Sequence, residues 1–460
     1  MPDVSAGLIA AALFVSAGLL AAWRVDFLRR LPLPARLGWS YLIGLAWVCG
    51  VSFVLSFVGL APLRRGTFVG VALAALLPWL ATTAWSHRRA SAWAATKRAA
   101  APFAGRVVAR SCAFIVALVM AGVLFRAGRE PLADWDGRMT WAPAARWICA
   151  ERTVHPRVLV EKRWSVSHPT YPLLLPIADC VALSFAERRE GVEPFRLLYA
   201  LHYGALLAVI WGAARRWGGR RAAWLVTAAI ALAPFPAWNA DGGAAGAYSD
   251  LGLAALFGGG IVLLARPRRW GEAATGGLLL AGAALTKSEG SWLAVVGCAV
   301  CAATALRRQR LRSRWLVGAV PVALGVTVLH AWSGGVPWRG DESYRVLLER
   351  QDVGGAAAAI GLWVVEAVSQ TFSVSKWSLF WWAVPVLLVL GRRGWARLRF
   401  APLALAAALP LAIGAAAYTL HPRAADLAAV TWSRFLVQAL APAAALLALA
   451  LRRALRREAS

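Results

Sequence analysis

A chain of 460 residues that is 60% hydrophobic, with a mean hydropathy of +0.60, cannot be a single soluble core, because soluble domains are nearer half apolar. The formal charge of +28 would point to nucleic acid on a soluble protein, but here the basic residues sit in short turns between apolar runs, where positive charge marks membrane topology. Nucleic-acid binding is therefore excluded as a reading, and what remains is an all-α, polytopic transmembrane bundle whose 25 tryptophans suit the membrane–water interfaces.

A hydrocarbon core of roughly 30 Å takes about 20 apolar residues of helix, and by that measure the sequence predicts about thirteen spans. The start, Met1-Pro2-Asp3-Val4, lacks the basic n-region of a cleaved signal, so 5–23 reads as a first span with its N-terminus outside. Spans at 38–60 and 67–85 follow, then a basic segment (Arg88, Arg89, Lys97, Arg98, Arg106, Arg110) and a span at 111–128. One long polar stretch, 129–195, comes next, with a short interfacial helix expected over 138–150. The remaining spans are predicted at 196–213, 222–237, 249–265, 273–286, 291–306, 315–333, 374–390, 401–420 and 435–451. Glu366 and Gln370 fall in an amphipathic stretch assigned to the outer interface. The expected organisation is three leading spans with a basic loop (1–110), a main module (111–451) and a basic tail (452–460).

Alternate loops carry 30 basic residues against 3 acids, Asp26, Glu272 and Glu458, whereas the opposite side carries 20 and 19. That asymmetry predicts the 129–195 stretch outside and the C-terminus in the cytoplasm. Nearly all the acids, and with them the expected chemistry, then lie on the outer side. Of the six cysteines, Cys49, Cys112, Cys298 and Cys301 lie inside apolar segments, and the C-x-x-C spacing of the last two reads as packing. Cys149 and Cys180 share the outer stretch, where an oxidising side would permit a disulfide that nothing in the spacing requires.

Five constellations could carry chemistry. In Asp134-Trp135-Asp136-Gly137-Arg138 a carboxylate beside the membrane could act as a general base on an acceptor hydroxyl or hold a divalent cation; the plainer reading is a solvated acid capping the helix that follows. In His168-Pro169-Thr170-Tyr171-Pro172 two prolines fix a re-entry at the membrane surface, and His168 could bind a polar substrate or shuttle protons or simply be solvated. Thr286-Lys287-Ser288-Glu289-Gly290 joins two short apolar runs; ionisable residues at membrane depth are functional candidates, although a local Lys287–Glu289 pair would also account for them. Asp241 and Asp250 bracket a glycine-rich turn, with Asp250 opening a span where it could serve as a helix cap. Arg434, in Thr431-Trp432-Ser433-Arg434-Phe435, could grip phosphate or snorkel. No P-loop, zinc spacing or nucleophile elbow is present.

Taken in order, Trp135-Asp136 with Trp141-Ala142-Pro143, His168-Pro-Thr-Tyr-Pro-Leu-Leu-Leu-Pro176, Tyr248-Ser-Asp250-Leu251, Leu285-Thr-Lys-Ser-Glu-Gly290 and Trp432-Ser-Arg434 resemble the GT-C superfamily of integral-membrane glycosyltransferases. The similarity runs toward the bacterial branch that contains the galacturonic-acid transferases of lipopolysaccharide core and the aminoarabinose transferase to lipid A. It spans 111–451 and leaves the three leading spans unassigned. The resemblance implies a sugar donor carried on polyprenyl phosphate, an envelope lipid, glycan or protein acceptor, surrounding membrane lipids, and an active site on the periplasmic face of the bacterial inner membrane. It implies Asp136 as general base, with Asp134 in a catalytic, substrate or metal role. Lys287 and Arg434 would stabilise the departing phosphate, and His168, Tyr171, Glu289, Asp250 and Arg138 would bind substrate. The family motif often pairs two acids directly, so Asp-Trp-Asp leaves the choice of base open. No cofactor is required, and a divalent cation stays an open alternative.

Two other classes compete. A glycan polymerase or ligase of similar plan would carry its largest outer loop late in the chain, whereas here it is early. A transporter or flippase would place ionisable residues near the midplane of broken helices, often in two matching halves, a pattern absent here.

Overall fold

The computed structural model describes residues 4–75, 103–161, 168–186, 193–306, 309–336, 353–395, 401–419 and 424–457, and these are helical with no strand among them. In chain order the principal helices are α1 (Val4–Arg24), α2 (Leu33–Phe57), α3 (Arg65–Ala74) and α4 (Phe103–Arg129). A π-helical turn, Gly137–Trp141, runs into α5 (Ala142–Glu151), followed by α6 (Leu174–Phe185), α7 (Arg196–Gly218) and α8 (Arg220–Ala231). Then come α9 (Asp250–Leu264), α10 (Trp270–Ala284), α11 (Ser288–Leu306), α12 (Gln309–Gly334), α13 (Val353–Thr371), α14 (Phe380–Trp395), α15 (Ala401–Thr419) and α16 (Ala424–Arg457).

Seven helical stretches among the described residues are long and apolar enough to cross a bilayer. Their outward faces are apolar too: Phe114, Leu118 and Phe125 on α4 are each more than 60% exposed. A soluble helix would turn polar side chains to that side, so the surface is built for lipid and the chain is an all-helical integral membrane protein.

The core is organised around α16. Its 34 residues correspond to about 50 Å of helix, packed by α7, α9, α13, α14 and α15. Lipid gives no hydrophobic drive for helix pairing, so close approach depends on small residues. Gly18 and Gly44 show this where α1 crosses α2: a Cβ on Gly18 would overlap the Ser40 carbonyl, and one on Gly44 would overlap that of Phe14. The leading helices are not peripheral. The Trp39 indole donates to the Ala208 carbonyl at 3.2 Å, tying α2 to α7, and α1 packs on α6.

The predicted boundaries change in several places. Residues 174–185, inside the stretch read as a polar loop, form the buried helix α6 against α1, α2 and α5. Spans predicted at 222–237, 249–265 and 273–286 are helices of 12, 15 and 15 residues, shorter than the about 20 that a straight crossing needs. The span predicted from 374 begins instead at Phe380, after a break at Ser378, whose φ is +52°. The amphipathic stretch before it is the 19-residue α13, with Leu362, Val365 and Val368 exposed. The short helix expected over 138–150 is present as the π turn and α5. Cys149 and Cys180 are unbridged; the Cys149 thiol lies 3.6 Å from the Cys180 carbonyl oxygen. The far half of the third predicted span, most of the basic segment after it, and 339–352 lie outside the described residues.

Charge separates to the two ends of α10. At its start, Glu272 pairs with Arg216 at 3.1 Å with both side chains buried, and Asp26 holds Arg269 at 2.7 Å. Two of the three acids among the basic loops, Asp26 and Glu272, are thus neutralised by an arginine, and Glu458 lies outside the described residues. Just past the other end of α10 lies Lys287.

Candidate active site

The glycine-rich turn 239–249 delivers Asp250 to the first turn of α9, fully buried. A buried carboxylate is costly unless paired, and this one is bound from three directions. Lys287 Nζ lies 3.1 Å from Oδ1, and Gln438 Nε2 donates to the same oxygen at 3.0 Å. Arg434 Nε donates to Oδ2 at 2.8 Å. The helix-cap reading of Asp250 is therefore replaced: the capping position is Ser249, without a side-chain cap bond, and the Asp250 carboxylate is the centre of an ion network.

The network extends on both sides. The other arm of the Arg434 guanidinium donates to Asp136 Oδ2 at 2.9 Å. Lys287 Nζ also contacts Glu289 Oε1 at 2.8 Å, so the local pair considered from the sequence exists, but as one edge of a larger cluster. Three carboxylates and two cations meet, from the 129–195 stretch, the start of α9, the α10–α11 turn and α16. The Arg434 guanidinium lies over the Tyr248 ring at 4.6 Å, a cation–π contact. Burial and the nearby Asp136 raise the Tyr248 phenol pKa, which keeps its proton available for donation. Gly242 takes φ +109°, and a Cβ there would come within 2.8 Å of Arg434 Cγ, so this turn position is closed to other residues twice over.

The two acids of Asp134-Trp135-Asp136 separate clearly. Asp134 is buried, and its oxygens accept from the backbone N–H of Gly137 at 2.8 Å and of Ala247 at 3.1 Å. Burial raises its pKa, opposed by those two bonds and by Arg196. It is a staple between the π turn and the glycine-rich turn, and the capping reading applies to it. Asp136 is partly open, 19% exposed, and faces Arg434.

His168 adopts φ +62°, and its ring stacks on Tyr171 with centroids 4.4 Å apart. Tyr171 in turn stacks on Trp141 at 5.7 Å, and its phenol lies within electrostatic range of Arg434. A backbone bond from Leu174 N–H to the Leu285 carbonyl, 2.8 Å, holds this segment beside the Lys287 turn. Thr140, Trp141, Leu159, His168, Tyr171 and Pro176 line a shallow cleft there. Arg138 is exposed and makes no ion pair with the cluster among the described residues. Gln438 was not anticipated; a lone amide one turn beyond Arg434 in an apolar run was the available signal.

A metal does not fit these residues. Both Asp134 oxygens are taken by backbone N–H groups, Asp136 and Asp250 face a guanidinium, and no group of three His, Cys, Asp or Glu among the described residues could hold an ion.

What the arrangement offers is one partly open carboxylate, a cationic pair able to meet a multivalent anion, and an aromatic stack beside them. No protein-family model matches the chain, and neither the curated proteins nor the solved structures contain a significant match to it.

Proposed function

We propose that the chain is an inverting glycosyltransferase of GT-C type, moving a sugar from a polyprenyl-phosphate donor to an envelope acceptor. The observation that carries this reading is the meeting of Asp136, Asp250, Lys287, Glu289 and Arg434, singled out as candidates from the sequence and up to 298 positions apart in it. The charge asymmetry of alternate loops supports an outer, periplasmic site, a cytoplasmic C-terminus and a thirteen-span layout in the inner membrane.

In this reaction Asp136 takes the proton of the acceptor hydroxyl, whose oxygen attacks the anomeric carbon from the face opposite the phosphate. The bond from that carbon to the phosphate oxygen breaks, and its electron pair leaves with the polyprenyl phosphate. A new glycosidic bond forms with inverted configuration. Lys287 and Arg434 stabilise the charge that grows on the departing phosphate. The phosphate leaves as a stable anion, so no nucleotide is needed, and a donor whose reactive carbon stays in the headgroup plane calls for a base beside the bilayer. His168, Tyr171 and Trp141 offer a ring surface for the sugar or acceptor.

The test is release of polyprenyl phosphate from short-chain polyprenyl-phosphate sugars by the purified protein with candidate envelope acceptors, followed by mass spectrometry. Wild type should turn over, and Asp136→Asn, folded, should lose about 10² or more. Equal turnover by wild type and Asp136→Asn would remove Asp136 as the base, whereas no release by wild type with any acceptor would favour a carrier of the same lipid.

A further inference from the structure

We infer that Arg434 is shared in time between Asp136 and the donor phosphate, so that the Asp136–Arg434 pair holds back the base and donor binding releases it. The inference rests on the donor reading above and adds an order of events to it.

The geometry is asymmetric. Arg434 spans two carboxylates, Asp250 at 2.8 Å and Asp136 at 2.9 Å, but the two are held very differently. Asp250 is fully buried and also bound by Lys287 and Gln438, so it cannot leave without stranding three donors. Asp136 is 19% exposed and sits where the chain enters the π turn. Its only ion pair among the described residues is the one with Arg434. A phosphate arriving at Arg434 and Lys287 brings several acceptor oxygens and suits the planar fork of a guanidinium. It must compete with a carboxylate already in place, and Asp136 is the partner that can yield.

Asp136 Oδ2 is engaged by a guanidinium N–H, which withholds that oxygen from an acceptor hydroxyl. Once phosphate takes that arm, the carboxylate is free beside the anomeric carbon. The two events are linked: whatever favours the Asp136–Arg434 pair disfavours the donor, and the reverse. Donor before acceptor is the resulting order, because the pair with Arg434 weakens the Asp136 carboxylate as a base until phosphate takes that arm.

The test is equilibrium binding of farnesyl phosphate to the full-length protein in detergent. Removing the internal competitor should tighten binding, although it abolishes turnover: Asp136→Asn and Asp136→Ala should bind about tenfold tighter than wild type, the scale of one charge-assisted hydrogen bond. Asp136→Glu, which keeps the charge, should bind like wild type, and the gain should vanish in an Arg434→Gln background. Equal or weaker binding by both neutral variants while wild type binds farnesyl phosphate overturns the sharing and leaves the donor reading standing. A gain that persists with Arg434→Gln also overturns it, because the effect would then be general charge relief. If no form binds farnesyl phosphate, the sharing and the donor reading fall together.

Discussion

Asp250→Asn is the perturbation that bears hardest on the site. The substitution keeps volume and shape but removes the charge that holds Lys287 at 3.1 Å and Arg434 at 2.8 Å. It also turns one carboxylate oxygen into an amide N–H₂, which must face either Arg434 Nε–H or the Lys287 and Gln438 donors. With side-chain exposures of 0%, 7% and 10% for Asp250, Lys287 and Arg434, water cannot substitute. Removing one member of such a buried pair costs about 3–5 kcal/mol, more than two powers of ten in the folded-to-unfolded ratio. Unfolding in mixed micelles, read by tryptophan fluorescence, measures this. The double variant Asp250→Asn/Lys287→Met removes the stranded ammonium as well and should be less destabilised than the sum of the two single variants by about 1–3 kcal/mol. A single variant within about 0.5 kcal/mol of wild type, or strict additivity in the double, would refute the account of Asp250 as the centre of the network.

Gly242→Ala should cost about 1–3 kcal/mol, because an alanine at that positive φ is strained and its Cβ would meet the Arg434 side chain at 2.8 Å; unchanged stability and unchanged farnesyl phosphate affinity would contradict the packing described. Asp134→Asn should destabilise by about 1–3 kcal/mol through its lost backbone contacts, without the loss of turnover at fixed folded fraction expected of Asp136→Asn. The raised pKa of Asp134 sets its pH dependence: the folded state keeps the proton above the ordinary value of 3.8, so this group's contribution falls as pH rises through the folded pKa. The deficit of Asp134→Asn relative to wild type should therefore narrow as pH rises above the ordinary carboxylate range, and a deficit that widens instead would show that the acid is not held protonated by burial.

The candidate site was legible because ionisable residues in an apolar chain are rare enough to stand out. Asp136, Asp250, Lys287, Glu289 and Arg434 could be named one by one, but their mutual contacts depend on how α9, α11 and α16 cross, which local pattern does not encode. The different surroundings of Asp134 and Asp136 needed the π turn: Asp134 accepts from the backbone N–H groups of Gly137 and Ala247, whereas Asp136, two residues on, faces Arg434. α6 was hidden because its buried acid, Asp179, and its flanking charges made the surrounding stretch read as polar. Asp179 is instead an interior group, accepting from the Tyr199 hydroxyl at 2.9 Å. Lengths failed where helices shorter than a bilayer are built into the bundle: Gly and Ala runs in α9 and α10 look continuous with their turns until packing fixes where each helix stops.

The span of 298 residues between Asp136 and Arg434 has a consequence for biogenesis. Chains emerge from the ribosome N-terminus first, so Asp250 and Lys287 enter the membrane well before α16 can supply Arg434 and Gln438. During that interval a carboxylate destined for full burial has only one of its three partners within the nascent chain. A chain truncated anywhere before α16 would carry an unfinished charge network, with Asp250 lacking Arg434 and Gln438. Completion of the network is thereby timed to α16, and neither Asp136 nor Asp250 has its arginine before that helix is in place.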